Sequence, residues 1–123
     1  MARTPEGIVK DKVKKLLDVY REPTMNSAGQ VFRNGLYAHW PVQNGMGMPT
    51  LDCIVCYYGH YIAIETKAPG KHPTPRQQTT IKQMEDAGAI IFVIDGDEGV
   101  ERLQRALDMI KWSQRGSQSA GNS

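Results

Sequence analysis

Apolar residues recur at three- and four-residue intervals near the start of the chain, at Val9, Val13, Leu16, Leu17 and Tyr20. That spacing predicts an amphipathic helix. Lys10, Lys12, Lys14 and Lys15 fall largely off the apolar stripe. Thr4 fits an N-cap and Pro5 a first helical position, which together mark where the helix starts. Residues 22–30 are polar, contain Pro23 and Gly29, and read as a loop. Asn34-Gly35, between Val31-Phe32 and Leu36-Tyr37, fits a tight hairpin turn. From Pro41 to Pro49 the chain is rich in Gly, Asn and Met with no period, so a second loop is expected there.

The pattern then changes to strands. Leu51–Tyr58 and Tyr61–Lys67 are rich in β-branched and aromatic residues, with Gly59-His60 between them as a two-residue turn. Pairing Tyr58 with Tyr61 across that turn sets Asp52 opposite Lys67 and Ile54 opposite Glu65. Side chains alternate along a strand, so Asp52, Glu65 and Lys67 emerge on one face of the sheet. A slip of one residue would send Asp52 to the other face.

Ala68-Pro69-Gly70 ends the second strand. Thr74-Pro75-Arg76-Gln77 opens a helix, with Thr74 as N-cap and Gln77 placed for a capping box. Gln77, Ile81 and Met84 share a helical face, and Gly88 closes the helix. Ala89–Ile94 is an apolar run of strand length, expected to be buried. Asp95-Gly96-Asp97 leads into a last helix with Val100, Leu103, Leu107 and Ile110 as its stripe. Strands before and after a helix in one small chain predict an α/β fold, a mixed central sheet flanked by helices. One domain is expected over residues 1–113, followed by a disordered polar tail over 114–123.

Composition adds boundaries. The 123 residues suit one modest core. Hydrophobic residues make up 40% and charged residues 23%, as in an ordinary globular protein. No apolar run is long enough to span a bilayer and no signal-type stretch opens the chain, so a cytoplasmic setting is expected. Cys53 and Cys56 have the spacing of a redox pair or half a zinc site. Residues three apart on a strand face opposite ways, and no second Cys or His pair completes a zinc site, so two small buried residues are expected instead.

Net charge is only +2, but its distribution is uneven. Between Pro23 and Met84 the only acids are Asp52 and Glu65, while the same span holds Arg33, Lys67, Lys71, Arg76, Lys82 and three histidines. Two isolated carboxylates in basic surroundings suggest a metal site facing a polyanion.

Two carboxylates on adjacent strands suit Mg²⁺, which prefers oxygen ligands and keeps several waters. Lys67, two residues beyond Glu65, is placed to position an attacking water or stabilise developing charge. The competing reading is a cross-strand ion pair of Asp52 with Lys67 and one spare acid. Gln77 either supports the metal site or only closes the capping box with Thr74. Glu6, on the stripe side of the first helix, is either a third oxygen ligand or an acid favoured by the helix dipole. Lys71, His72 and Arg76 form either a phosphate clamp or a solvated basic loop. Trp40 and Trp112 read as packing residues.

Several segments together resemble a known family. They are Met48-Pro49-Thr50-Leu51-Asp52, Ala63-Ile64-Glu65-Thr66-Lys67-Ala68-Pro69-Gly70-Lys71, Thr74-Pro75-Arg76-Gln77 and Ala87-Gly88-Ala89. In this order they are similar to the VRR-NUC family, the virus-type replication–repair nucleases of the PD-(D/E)XK superfamily, over roughly residues 4 to 95. The resemblance implies a restriction-endonuclease-like α-β-β-β-α-β core, here with an added C-terminal helix, and Mg²⁺- or Mn²⁺-dependent phosphodiester hydrolysis. It assigns metal binding to Asp52 and Glu65 and to the backbone carbonyl of Thr66. It gives Lys67 the catalytic lysine role, and matches Gln77 and Glu6 to a glutamine at a helix start and an early helical acid. It further implies a phage or prophage source, a homodimer, and branched DNA such as four-way junctions as substrate. The family's Pro usually directly precedes the Asp; here Thr50 and Leu51 separate Pro49 from Asp52, which bears on the approach loop and substrate preference. The expectation is therefore a metal-dependent DNA endonuclease selective for branched DNA. A general or restriction-like nuclease of the same fold, or a catalytically silent DNA-binding module, are the rival expectations.

Overall fold

The computed structural model describes residues 3–21, 24–25, 27–32 and 35–121. Helix α1 (Pro5–Arg21) is followed by short strands β1 (Thr24–Met25), β2 (Val31–Phe32) and β3 (Tyr37–His39). Strands β4 (Cys53–Tyr57) and β5 (His60–Thr66) form a hairpin. Helix α2 (Pro75–Asp86), strand β6 (Ile90–Ile94) and helix α3 (Asp97–Gly121) complete the chain. The main sheet has the order β3-β4-β5-β6. Its first three strands are antiparallel and β6 runs parallel to β5, with α2 as the crossover between them. The fold is thus α/β with a mixed four-stranded sheet and three helices. None of the described helices is long and apolar enough to cross a membrane.

Local sequence explains where the helices begin. The backbone N–H of Gly7 donates to Thr4 Oγ1 at 3.0 Å, capping α1. At α2, Gln77 N donates to Thr74 Oγ1 and Thr74 N donates to Gln77 Oε1, a reciprocal capping box with Pro75 at its first turn. Gly88 takes a φ of 105° just after α2, a left-handed conformation open to glycine.

The β4–β5 register differs from the expected one by two residues. The turn is Tyr58-Gly59, with φ of 49° and 80°, and Tyr57 pairs with His60. Positive φ at both central positions is what a tight type I′ hairpin turn requires. A tyrosine there is unusual, but its ring lies 4.8 Å from that of Tyr57 and packs against the core, which offsets the strain. Because the slip is two and not one, every side chain keeps its face. Cys53 pairs with Ile64, so continuing the ladder by one residue sets Asp52 opposite Glu65 rather than Lys67.

One sheet face forms the core. Cys53, Val55 and Tyr57 of β4, Ile62 and Ile64 of β5 and Ile94 of β6 bury against Val9, Val13 and Leu17 of α1 and Leu103 and Leu107 of α3. Each aliphatic side chain so buried contributes about 1.5–3 kcal/mol. Tyr20 packs edge-on against Tyr57, and its hydroxyl donates to Asp108, joining α1 to α3. Desolvation and the neighbouring Asp108 carboxylate push the Tyr20 phenol well up from its ordinary value. The opposite face carries Asp52, Ile54, Cys56, Tyr61, Ala63, Glu65 and Lys67, with α2 over part of it.

Several sequence expectations differ from the structure. The residues flanking Asn34-Gly35 do not form one hairpin. β2 pairs with β1 in a separate two-stranded sheet, whereas β3 pairs with β4. β1 itself lies within the expected 22–30 loop. Asn34, like Arg33, lies outside the described residues. β6 is only partly buried, because it is the sheet's edge strand. Cys53 is buried but Cys56 is exposed, since the two alternate onto opposite faces. Trp40 is half-buried with the Lys14 ammonium 5.0 Å over its ring, whereas Trp112 is mostly exposed. α3 runs through Gly121, past the end of its apolar stripe.

Candidate metal and catalytic site

Glu65 lies near the end of β5, an interior strand of the sheet, and is only 2% exposed. Its Oε1 accepts from the backbone N–H of Asp52 at 3.2 Å. The Asp52 carboxyl lies near enough for its charge to act on Glu65. Burial first, then the adjacent Asp52 carboxyl, push the Glu65 carboxyl up to about 7. Lys67 Nζ, 3.7 Å from Glu65 Oε2, opposes the rise without cancelling it. Neighbouring carboxylates inside a protein favour a shared proton or a nearby cation.

Asp52 is held from several directions. The Thr66 backbone N–H and hydroxyl both donate to Asp52 Oδ2, at 2.9 and 2.8 Å. Gln43 Nε2 donates to Oδ1 at 3.2 Å, and Lys10 Nζ lies 4.0 Å from the same oxygen. Lys67 is fixed through its backbone, which donates to the Ile94 carbonyl at 2.9 Å and extends the β5–β6 ladder. The following turn is tied down where Gly70 N donates to Asp95 Oδ2 at 3.1 Å.

Asp52, Glu65 and Lys67 are therefore brought together, with the contact of Lys67 made to Glu65, and Thr66 joins them through the N–H and hydroxyl that hold Asp52. The Lys67 contact follows from the two-residue register difference and i, i+2 spacing on one strand face. Gln77 commits its Oε1 to the α2 cap, so the capping alternative holds for that oxygen. With Thr74, Arg76 and Thr80 it also lines a cavity of about 320 Å³ beneath the Val42–Thr50 loop, the loop that sends Gln43 to Asp52. Glu6 is half-exposed in the first turn of α1, one turn before Lys10. Among the described residues, no three His, Cys, Asp or Glu side chains converge to hold a metal, so Glu6 does not complete such a set with Asp52 and Glu65. Lys71 and His72 are exposed between β5 and α2, and Arg76 is exposed in the first turn of α2.

Sequence reasoning missed three contributors. Lys10 sits beside the apolar stripe of α1 and carries no periodic signal of its own. Gln43 lies in a segment without period. The Thr66 hydroxyl was legible only as a β-branched strand residue. No protein-family model matches the chain, and no curated protein matches it.

Proposed function

We propose that the chain is a metal-dependent DNA endonuclease with a PD-(D/E)XK-like core and the VRR-NUC manner of cutting. The observation that carries this reading is the contact between Asp52 and the buried Glu65 on adjacent strands, with Lys67 beside them. Two adjacent carboxylates, one of them buried, suit a divalent cation. The rival Asp52–Lys67 ion pair is not what forms, since the lysine lies against Glu65 and Asp52 takes its donors from Thr66 and Gln43.

Asp52 and Glu65 would hold Mg²⁺ or Mn²⁺, with the Thr66 carbonyl as a further oxygen. When bound, such an ion lowers the pKa of a water and stabilises charge on a phosphoryl oxygen. The Thr66 N–H and hydroxyl fix the Asp52 carboxylate, leaving its Oδ1 to Gln43 and Lys10. Lys67 Nζ, 3.7 Å from Glu65 Oε2, sits beside the carboxylate pair, where it would orient a water and offset charge growing on the phosphate. Lys71 and Arg76 supply exposed cationic groups, and His72 an exposed imidazole, for the phosphates on either side. Branched DNA, a cytoplasmic setting and a homodimer are parts of the same proposal. A two-fold pair of sites suits a substrate cut on two strands.

The test is incubation of the purified chain with labelled four-way junction, splayed-arm and linear duplex DNA in Mg²⁺, Mn²⁺ or EDTA, beside the Lys67→Ala variant. Metal-dependent cutting lost in the variant supports the nuclease, and the ranking of substrates separates a structure-selective enzyme from a general one. Binding without cutting under every metal condition would leave a DNA-binding module of this fold.

A further inference from the structure

The sheet face that carries Asp52 and Glu65 continues toward the β3 edge, and there it is uncovered. Tyr37 pairs with Cys56, and Cys56 pairs with Tyr61, so the three form one row across β3, β4 and β5. Core residues Val55, Tyr57, Ile62 and Ile64 point to the other face, so this row points outward from the core. Tyr37 is 66% and Tyr61 49% exposed, and Cys56 between them is small and exposed. Adjacent strands lie about 4.8 Å apart, which places the two tyrosines about 10 Å apart with a shallow gap between. The next row toward the site is His39, Ile54 and Ala63, and the one after it contains Asp52 and Glu65.

We infer that this row is a stacking platform for unpaired bases, and that the substrate is DNA whose strand beside the scissile bond is single-stranded. The inference rests on the nuclease reading and names its substrate class. Sequence-tolerant binding of single strands uses exposed aromatic rings on a sheet, on which successive bases lie. Duplex bases are already stacked on one another and gain nothing from such rings. The tyrosine row and the row next to it carry no acid to repel a polyanion, since Glu65 is the only acid in β3, β4 and β5, and His39 is exposed in that next row as a hydrogen-bonding group. The tyrosine row lies four residues along the strands from the carboxylate pair, about 13 Å. That distance spans roughly four stacked nucleotides. Beyond Tyr61 the surface opens into a cavity of about 430 Å³ between the hairpin turn and the end of α2, lined by His60, Met84 and Gly88. A strand leaving the platform has room to pass there.

The alternative occupant of such a face is a second copy of the chain, and one experiment separates the two. Binding of a fluorescein-labelled oligothymidylate of about 12 nucleotides is measured by anisotropy in EDTA, beside a labelled linear duplex. The full chain is compared with Tyr37→Ala, Tyr61→Ala and the two Phe variants, each checked for folding by circular dichroism and for mass by sedimentation. The expected result is about a tenfold loss of single-strand affinity for each Ala variant, unchanged duplex affinity, and wild-type behaviour for both Phe variants, which keep the ring. Unchanged single-strand affinity in folded Ala variants overturns the platform while leaving the nuclease reading in place. Ala variants that turn a dimer into monomers with no change in single-strand affinity assign the face to self-association. Failure of the wild-type chain to bind either DNA overturns the platform and the nuclease reading together.

Discussion

The backbone N–H of Asp52 donates to Oε1 of Glu65 at 3.2 Å, while the Asp52 charge opposes ionisation of the same Glu65. The sheet register thus sets an attractive and a repulsive contact between one pair of residues. The hydrogen bond ties the start of β4 to the Glu65 side chain, and the like charges leave a conflict that Lys67 only partly offsets and that a proton or a metal ion would relieve.

Removing the conflict should stabilise the metal-free chain. In Glu65→Gln the amide oxygen still accepts from Asp52 N, and the buried charge is gone. A gain of at least about 1 kcal/mol in EDTA at pH 8 is expected, because an imperfectly compensated buried charge is replaced by a neutral group. For a domain of this size that corresponds to a rise in Tm of about 4 °C. Mg²⁺ should raise the Tm of the wild type and leave the variant unmoved. A variant less stable than wild type in EDTA would show that the Glu65 charge is fully compensated without metal.

The same pair sets a pH dependence. Glu65 is raised from its model-compound value of 4.5 to about 7 in the folded chain. Between those values the folded state holds a proton that the unfolded state has released. Stability therefore falls as pH rises through this window and levels off above about pH 7. Other groups titrate as well, so the quantity to follow is the difference in Tm between wild type and Glu65→Gln in EDTA. It should widen from pH 4.5 to pH 7. A difference that stays constant across that range would rule out a proton on Glu65 as its cause. Metal competes with this proton, so Mg²⁺ binding should weaken below about pH 7.

Thr66 tests the support of Asp52. Thr66→Val keeps the shape and the β-branch but removes the hydroxyl that donates to Oδ2 at 2.8 Å. The expected loss is about 1 kcal/mol by urea denaturation. Metal affinity should drop as well, since the carboxylate keeps only the backbone donor on that oxygen. An unchanged affinity would mean that the Thr66 N–H alone orients Asp52.

The cysteines should react differently. Burial pushes the Cys53 thiol up to about 12, and Cys56 is exposed on the other face. Iodoacetamide at pH 8 should modify Cys56 alone in the native chain and both thiols in denaturant, read by intact mass. Rapid double labelling of the native chain would place Cys53 outside the core.

Much of the fold is legible in local pattern because its causes are local. Thr4 and Thr74 cap helices through hydrogen bonds to residues three away. The stripe Val100, Leu103, Leu107 and Ile110 repeats within a few turns of one helix. Strand alternation is also local, and it put Asp52, Glu65 and Lys67 on one face even though the expected turn was one residue late at each end. What sequence could not supply was contact between distant segments. The Tyr58-Gly59 turn forms because core packing tolerates a tyrosine with positive φ, and no local propensity favours that. Whether Val31-Phe32 pairs with Tyr37 or with Thr24-Met25 depends on which partners the rest of the sheet leaves free. Lys10 and Gln43 reach Asp52 only because α1 and an aperiodic loop converge on one end of the hairpin. Sequence alone therefore determined the helices and the face of each strand residue, since those follow from the backbone's own periods of 3.6 and 2. Tertiary structure decided the register, the partners of Asp52 and which part of its face stays open, because each depends on packing between segments that the chain's local periods do not relate.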